Sequence, residues 1–134
     1  SEASMMSKIF KTVHRNSDDL AALLYTSGTT GRSKGAMLTQ NNLLSNAKTL
    51  TDLWEVSEND ILIHALPIFH THGLFVALNT ALLSGCQVNF LFKFDIDEVI
   101  RAMHFSKLLM GVPTFYTRLL ADRRLTANQT KKMR

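Results

Sequence analysis

Leu20-Ala21-Ala22-Leu23-Leu24-Tyr25-Thr26-Ser27-Gly28-Thr29-Thr30-Gly31-Arg32-Ser33-Lys34-Gly35 is an apolar run that breaks into glycines and hydroxyl residues. The run, Leu20 to Tyr25, has the length and composition of a β-strand. The segment from Thr26 to Gly35 suits a polyphosphate. Its three glycines let backbone N–H groups approach oxygens, its five hydroxyls add neutral donors, and Arg32 and Lys34 offset negative charge. No acidic residue lies between Asp19 and Asp52, so nothing in the segment repels an anion. The spacing is not the Walker pattern, because Gly28 and Gly31 are three apart and Lys34 precedes Gly35, and it is not a dinucleotide fingerprint. The bland alternative is a functionless Gly/Ser/Thr linker, against which its tight placement between a strand and a helix argues.

Outward from this segment, short apolar runs alternate with stretches of helical period, the pattern of a mainly parallel α/β sheet with flanking helices. Strands are expected at Leu20–Tyr25, Ile61–Leu66, Gln87–Phe92 and Lys107–Val112. The first helix should begin near Gln40 with Thr39 as its N-cap, directly after the phosphate-type loop, and show Leu43, Leu44, Ala47, Leu50 and Trp54 on one face. A second should run from Gly73 to Ser84 and stop at Gly85. A third opens at Asp95, with Glu98 three residues on imitating a capping box, and a fourth follows Pro113. Phe90, Phe92, Phe94, Met103 and Met110 read as core. The expected organisation is a lead at residues 1–18, an α/β region at 19–125 and a basic tail at 126–134. A sheet cut at that point has an open edge.

Composition narrows the class. The 134 residues fit one small domain able to bury roughly two thirds of its unfolded surface. Apolar residues make up 46% and charged residues only 19%, which leaves the chain short of solvated surface and points to apolar faces that expect a partner. The formal charge of +4 is spread along the chain, with clusters only at Arg123-Arg124 and Lys131-Lys132, so a solvated basic surface is favoured over nucleic-acid binding. No apolar stretch approaches the roughly 18 residues a membrane helix needs, and no secretion signal is legible. The lone Cys86 favours a reducing compartment, the cytosol first.

Leu24 to Ala36 resembles the phosphate-binding motif of the adenylate-forming enzymes, the superfamily of acyl-CoA synthetases, luciferases and peptide-synthetase adenylation domains. Leu66-Pro67-Ile68-Phe69-His70-Thr71-His72-Gly73-Leu74 is similar to a second stretch of that family, and Gly111-Val112-Pro113-Thr114 to a third. Ile63–Gly73 taken with Leu109–Arg118 looks most like malonyl-CoA synthetases. The resemblance implies an N-terminal-domain lobe of an enzyme that uses ATP and Mg²⁺ to make an acyl-adenylate from a small carboxylic acid, then passes the acyl group to coenzyme A. Malonyl-CoA or methylmalonyl-CoA would be the product, and the compartment would be the cytoplasm, or the mitochondrial matrix in a eukaryote. It places ATP phosphates on Thr26, Ser27, Gly28, Thr29, Thr30, Gly31 and Lys34, with Arg32 and Ser33 where the family varies.

The resemblance also sets His70 and Thr71 beside the acyl pocket, where a neutral imidazole donates to a carboxylate and a protonated one neutralises it. A histidine satisfied inside a packed turn is the competing reading for His70, and still more for His72 and His64. His70-Thr71-His72 carries neither an HExxH pattern nor a cysteine pair, so no metal site is expected. Ser27 and Ser33 lack the context of a nucleophile. A substrate with a second carboxylate needs a cation in its pocket, for which Arg118 stands ahead of Arg101 and Lys93. The family's adenine-binding turn, its aromatic-Gly-x-Thr-Glu stretch, its ribose-binding acid and the C-terminal-domain lysine are not in this sequence. Catalytic residues therefore stay unassigned, and the alternative is a non-catalytic nucleotide- or partner-binding remnant that pairs with the rest of such an enzyme.

Overall fold

The computed structural model describes residues 2–26 and 33–134. The chain divides into two compact units, Ser1–Asn42 and Leu43–Arg134.

In the first unit β1 (Leu20–Thr26) pairs antiparallel with β2 (Lys34–Thr39), from Leu20↔Thr39 to Thr26↔Lys34. This corrects two expectations. The strand at Leu20 does not join the parallel sheet, and the phosphate-type segment connects two antiparallel strands instead of running into a helix. The physical reason is Ala36-Met37-Leu38, a short apolar run whose partner is β1; Gly35 leaves room there for the Tyr25 ring, which a Cβ would approach to 3.3 Å. The helix then starts where expected. α1 (Gln40–Leu53) is capped reciprocally: the Asn42 N–H donates to Thr39 Oγ1 at 3.2 Å, and the Thr39 N–H donates to Asn42 Oδ1 at 3.0 Å. The Gln40 N–H donates to the Asp19 carbonyl, which ties the helix start to the residue before β1.

The second unit is a three-stranded parallel sheet of order β4–β3–β5, with β3 Ile61–His64, β4 Gln87–Phe90 and β5 Leu108–Met110. Ile61 pairs with Gln87 and Leu62 with Leu108, so β3 is central and Leu62, Ile63 and His64 are all buried. Alternation sends Leu62 to one face, among Val56, Ala77, Ala81 and Leu108, and Ile63 to the other, among Val99, Ile100, Met103 and Leu119. Both faces are covered, as parallel strands require. All three strands end before the expected bounds, and the residues beyond them turn into the site described below.

The crossovers show local punctuation. After β3 the chain winds as a π-helical segment, His72–Leu78, then as α2 (Asn79–Ser84), which stops at Gly85 with φ of 72°. That left-handed backbone favours glycine. α3 (Ile96–Met103) is capped by Asp95, whose Oδ1 accepts from the Asp97 and Glu98 N–H groups at 3.0 and 3.1 Å. α4 (Pro113–Leu120) has proline in its first turn and is followed by α5 (Ala127–Thr130). The basic stretch that closes the chain is tied down at Arg134. Its guanidinium reaches Asp60 Oδ2 at 2.7 Å and the Glu55 carbonyl at 3.1 Å. No helix among the described residues is long and apolar enough to cross a membrane.

Candidate active site

In an open parallel sheet, ligands settle beyond the carboxyl ends of the strands. Here those ends frame a cavity of about 980 Å³. Three segments line it: Ala65–His70 beyond β3, Phe90 with Phe92, Lys93 and Phe94 at and beyond β4, and Val112 with Phe115 beyond β5. The walls are mostly apolar, and His70 and Lys93 are the ionisable side chains in them.

The position of His70 follows from a tight turn. The His70 N–H donates to the Pro67 carbonyl at 3.2 Å, and the His70 carbonyl accepts from Leu74 at 3.0 Å. Gly73 closes against this turn so tightly that a Cβ there would lie 2.4 Å from the Pro67 oxygen. His64, at the end of β3, secures the same glycine. Its Nε2 lies 2.9 Å from the Gly73 carbonyl, and because a carbonyl only accepts, Nε2 carries the proton. Nδ1 is buried and has no hydrogen-bond partner among the described residues. The ring stacks on Phe90 with centroids 4.6 Å apart and planes 10° from parallel. His64 is thus a packed histidine that holds the turn and one aromatic wall.

The His-x-His pair diverges. His70 is exposed, lies against Phe69 and lines the large cavity, whereas His72 is half-buried and lines a second cavity with Trp54 and Tyr116. Thr71 is exposed at the start of the π-helical segment and does not line the large cavity. Arg118 sits behind the wall with its guanidinium carbon 4.9 Å from the Phe94 ring centre, and Phe94 stacks on Phe115 at 4.0 Å. A cation over a ring face gains about 0.5–1 kcal/mol when exposed. Arg101 lies exposed on α3 and does not line the large cavity. The structure therefore brings together His70, Lys93 and, through Phe94, Arg118.

Two readings need correction. Phe90 and Phe92 are not core: Phe90 is half exposed, Phe92 is fully exposed, and with Phe94 they form the wall of the cavity. The signal was present in the alternation of Phe90, Phe92 and Phe94 around Lys93 just where a strand ends, which gives one apolar face to an extended segment. Met103, by contrast, is buried as expected.

Of the phosphate-type residues, Thr26 and Lys34 face each other as the last register pair of the β1–β2 ladder. Ser33 is exposed, and Ser27, Gly28, Thr29, Thr30, Gly31 and Arg32 lie outside the described residues. Cys86 is buried, and burial pushes its thiol above the usual range, toward the unreactive protonated form.

Residues 2–134 match the family described as AMP-binding enzyme. A malonate–CoA ligase of Arabidopsis thaliana is 40% identical over 115 residues, covering 77% of this chain and 19% of the relative. MatB from Rhodopseudomonas palustris superposes with TM-scores of 0.92 in its apo form and 0.90 in its ATP-bound form, at 56% and 57% identity, over 98% of this chain and 26% of that one. A malonyl-CoA ligase solved as a ternary product complex with methylmalonyl-CoA and AMP gives a TM-score of 0.74 at 36% identity, over 81% of this chain and 25% of that one. The chain thus spans about a fifth of the length of that curated relative and about a quarter of these solved chains.

Proposed function

Because the chain belongs to the AMP-binding enzyme family, we propose that it forms part of the large domain of an ATP-dependent acid–thiol ligase acting on malonate or methylmalonate. In the first half-reaction a carboxylate oxygen bonds to the α-phosphorus of ATP, the bond from that phosphorus to the pyrophosphate oxygen breaks, and pyrophosphate leaves. In the second, the sulfur of coenzyme A bonds to the acyl carbon, the thiol proton passes to solvent or a base, and AMP leaves. Charge builds on phosphate oxygens in the first step, and the donors of Thr26–Lys34 are the residue types that offset it. Mg²⁺, which the resemblance implies, finds no group of three His, Cys, Asp or Glu side chains suited to a metal among the described residues.

One observation carries the substrate class: the cavity beyond the sheet places His70 and Lys93 in an otherwise apolar wall, with Arg118 behind Phe94. An apolar wall with a few cationic groups suits a short acid that has a second carboxylate, since an unpaired buried carboxylate is costly. The test is a chain completed to the length of its relatives, assayed for AMP release that depends on both malonate and coenzyme A. Lys93→Ala, which removes the cation that lines the cavity, should lower kcat/KM for malonate about 10- to 100-fold, the loss of one charge-assisted contact of about 1.5–3 kcal/mol. Full activity on long-chain fatty acids with none on malonate would overturn the substrate class.

A further inference from the structure

The two ionisable groups of the large cavity stand on different segments, His70 on the turn beyond β3 and Lys93 on the stretch beyond β4. His64 touches the supports of both. It is the last residue of β3, 1% exposed, and its register partner is Phe90, on whose ring it stacks. The Leu91 N–H donates to the His64 carbonyl at 2.9 Å, which carries the pairing one residue further toward Lys93. In the other direction His64 Nε2 donates to the carbonyl of Gly73, a buried residue of the π-helical segment. The next N–H along, that of Leu74, closes the turn on the His70 carbonyl. One tautomer alone serves this arrangement. With the proton on Nδ1, a lone pair would face the Gly73 oxygen, and a buried N–H would have no acceptor among the described residues.

We propose that His64 is a positioning residue for acid capture. As a neutral imidazole donating through Nε2, it fixes the Gly73 carbonyl and thereby the direction in which the turn holds His70 relative to Phe90 and Lys93. His64 does not line the cavity, so it acts through these neighbours and not on the acid itself. How well a site captures a small ligand depends on how closely its contacting groups are held in place. That the acid is a dicarboxylate rests on the reading above, whereas the tautomer and the turn do not depend on it. Two replacements separate the donor from the ring. Glutamine offers an amide N–H at about the reach of Nε2 but no ring, and phenylalanine keeps a ring against Phe90 but has no donor.

The test uses the 134-residue chain with His64→Gln and His64→Phe. Nitrogen spectra of the unsubstituted chain should show His64 with Nε2 protonated and Nδ1 bare; the opposite tautomer overturns the proposal without any variant. Amide exchange is then followed at Leu74 and, as a reference in α3, at Val99, whose N–H donates to the Asp95 carbonyl at 3.0 Å. His64→Phe should speed exchange at Leu74 about tenfold, the factor one hydrogen bond carries, and at Val99 much less, while His64→Gln should stay within about twofold of the unsubstituted chain at both. Equal loosening of Leu74 by the two variants, or none by His64→Phe, overturns the role of the donor. A rise at Val99 as large as at Leu74 reduces His64 to general packing and overturns it as well. Malonate is then titrated while the His70 ring protons are observed. His64→Phe should need about tenfold more malonate for the same response, and His64→Gln about as much as the unsubstituted chain. His70 protons that malonate leaves unmoved in all three chains overturn the dicarboxylate reading and the acid half of the proposal, and the exchange comparison still decides whether His64 holds the turn.

Discussion

Replacing Asp60 tests whether the entry to the central strand is held by charge. The Asp60 carboxylate is 2% exposed and accepts from the Ser57 N–H at 2.8 Å and the Ser57 hydroxyl at 3.2 Å, with Arg134 at 2.7 Å and Lys107 at 3.3 Å. The two cations are 40% and 44% exposed, so water replaces much of what they lose, and each pair is worth about 0.5–1 kcal/mol. The Ser57 N–H and hydroxyl bond to the same carboxylate, and a hydrogen bond to a charged acceptor is worth about 1.5–3 kcal/mol. Asp60→Ala should therefore cost about 3 kcal/mol, a drop in Tm on the order of 10 °C. Asp60→Asn keeps an oxygen for Ser57 and should cost about half as much. The pH dependence has a fixed sign. Burial by itself would raise the Asp60 pKa, but the hydrogen bonds from Ser57 and Lys107 and the charge of Arg134 together hold it below the usual 3.8. A carboxylate lowered in the folded state contributes stability that is complete above its unfolded value and is lost as pH falls through its folded one. The gap between wild type and Asp60→Asn, read from urea melts, should be constant from pH 7 to 5 and close below about pH 4. A gap that widens toward pH 3, or an alanine variant no less stable than the asparagine one, refutes the reasoning.

Gly73→Ala should destabilise by about 2 kcal/mol or more in thermal melts, on the order of a core overpacking, because the new methyl meets the Pro67 carbonyl at 2.4 Å; a neutral result would mean that the His70 turn is not locked. Asp95→Ala should cost about 1 kcal/mol through loss of the α3 cap, with Asp95→Ser recovering most of it. Calorimetric titration of the 134-residue chain with Mg·ATP should give a Kd in the millimolar range or weaker. Hydrogen bonds from Thr26–Lys34 alone add about 0.5–1.5 kcal/mol each and must first offset the cost of association, so micromolar affinity would contradict this account.

The parts of the fold that were legible in the sequence are those decided within a few residues. Thr39, Gly85, Asp95 and Pro113 mark helix ends through contacts no farther than the next turn, and each is where the sequence predicts it. β2 escaped because Lys34-Gly35 opens it and its reason for being a strand lies across the ladder in β1. Arg134 escaped for the same cause on a longer scale, since its partner Asp60 is 74 residues away. At the candidate site, His70 was marked by its motif, whereas the aromatic wall was not. Phe92 has the composition of a core residue, and only the end of β4 turns it outward.

The three segments that line the large cavity come after the strands that hold the unit together, and this separates two kinds of change. Leu62, Ile63 and Leu108 lie inside the ladder, whereas Phe69, Phe92 and Val112 stand beyond it and remain exposed. Substitutions at the latter positions reshape a recess without opening voids in packed layers, so they escape the penalty attached to truncating a buried side chain. A chain built this way can drift in what it accepts while its folding free energy stays nearly fixed. A randomised library confined to positions 68, 69, 92, 93 and 112 would consist mostly of folded members.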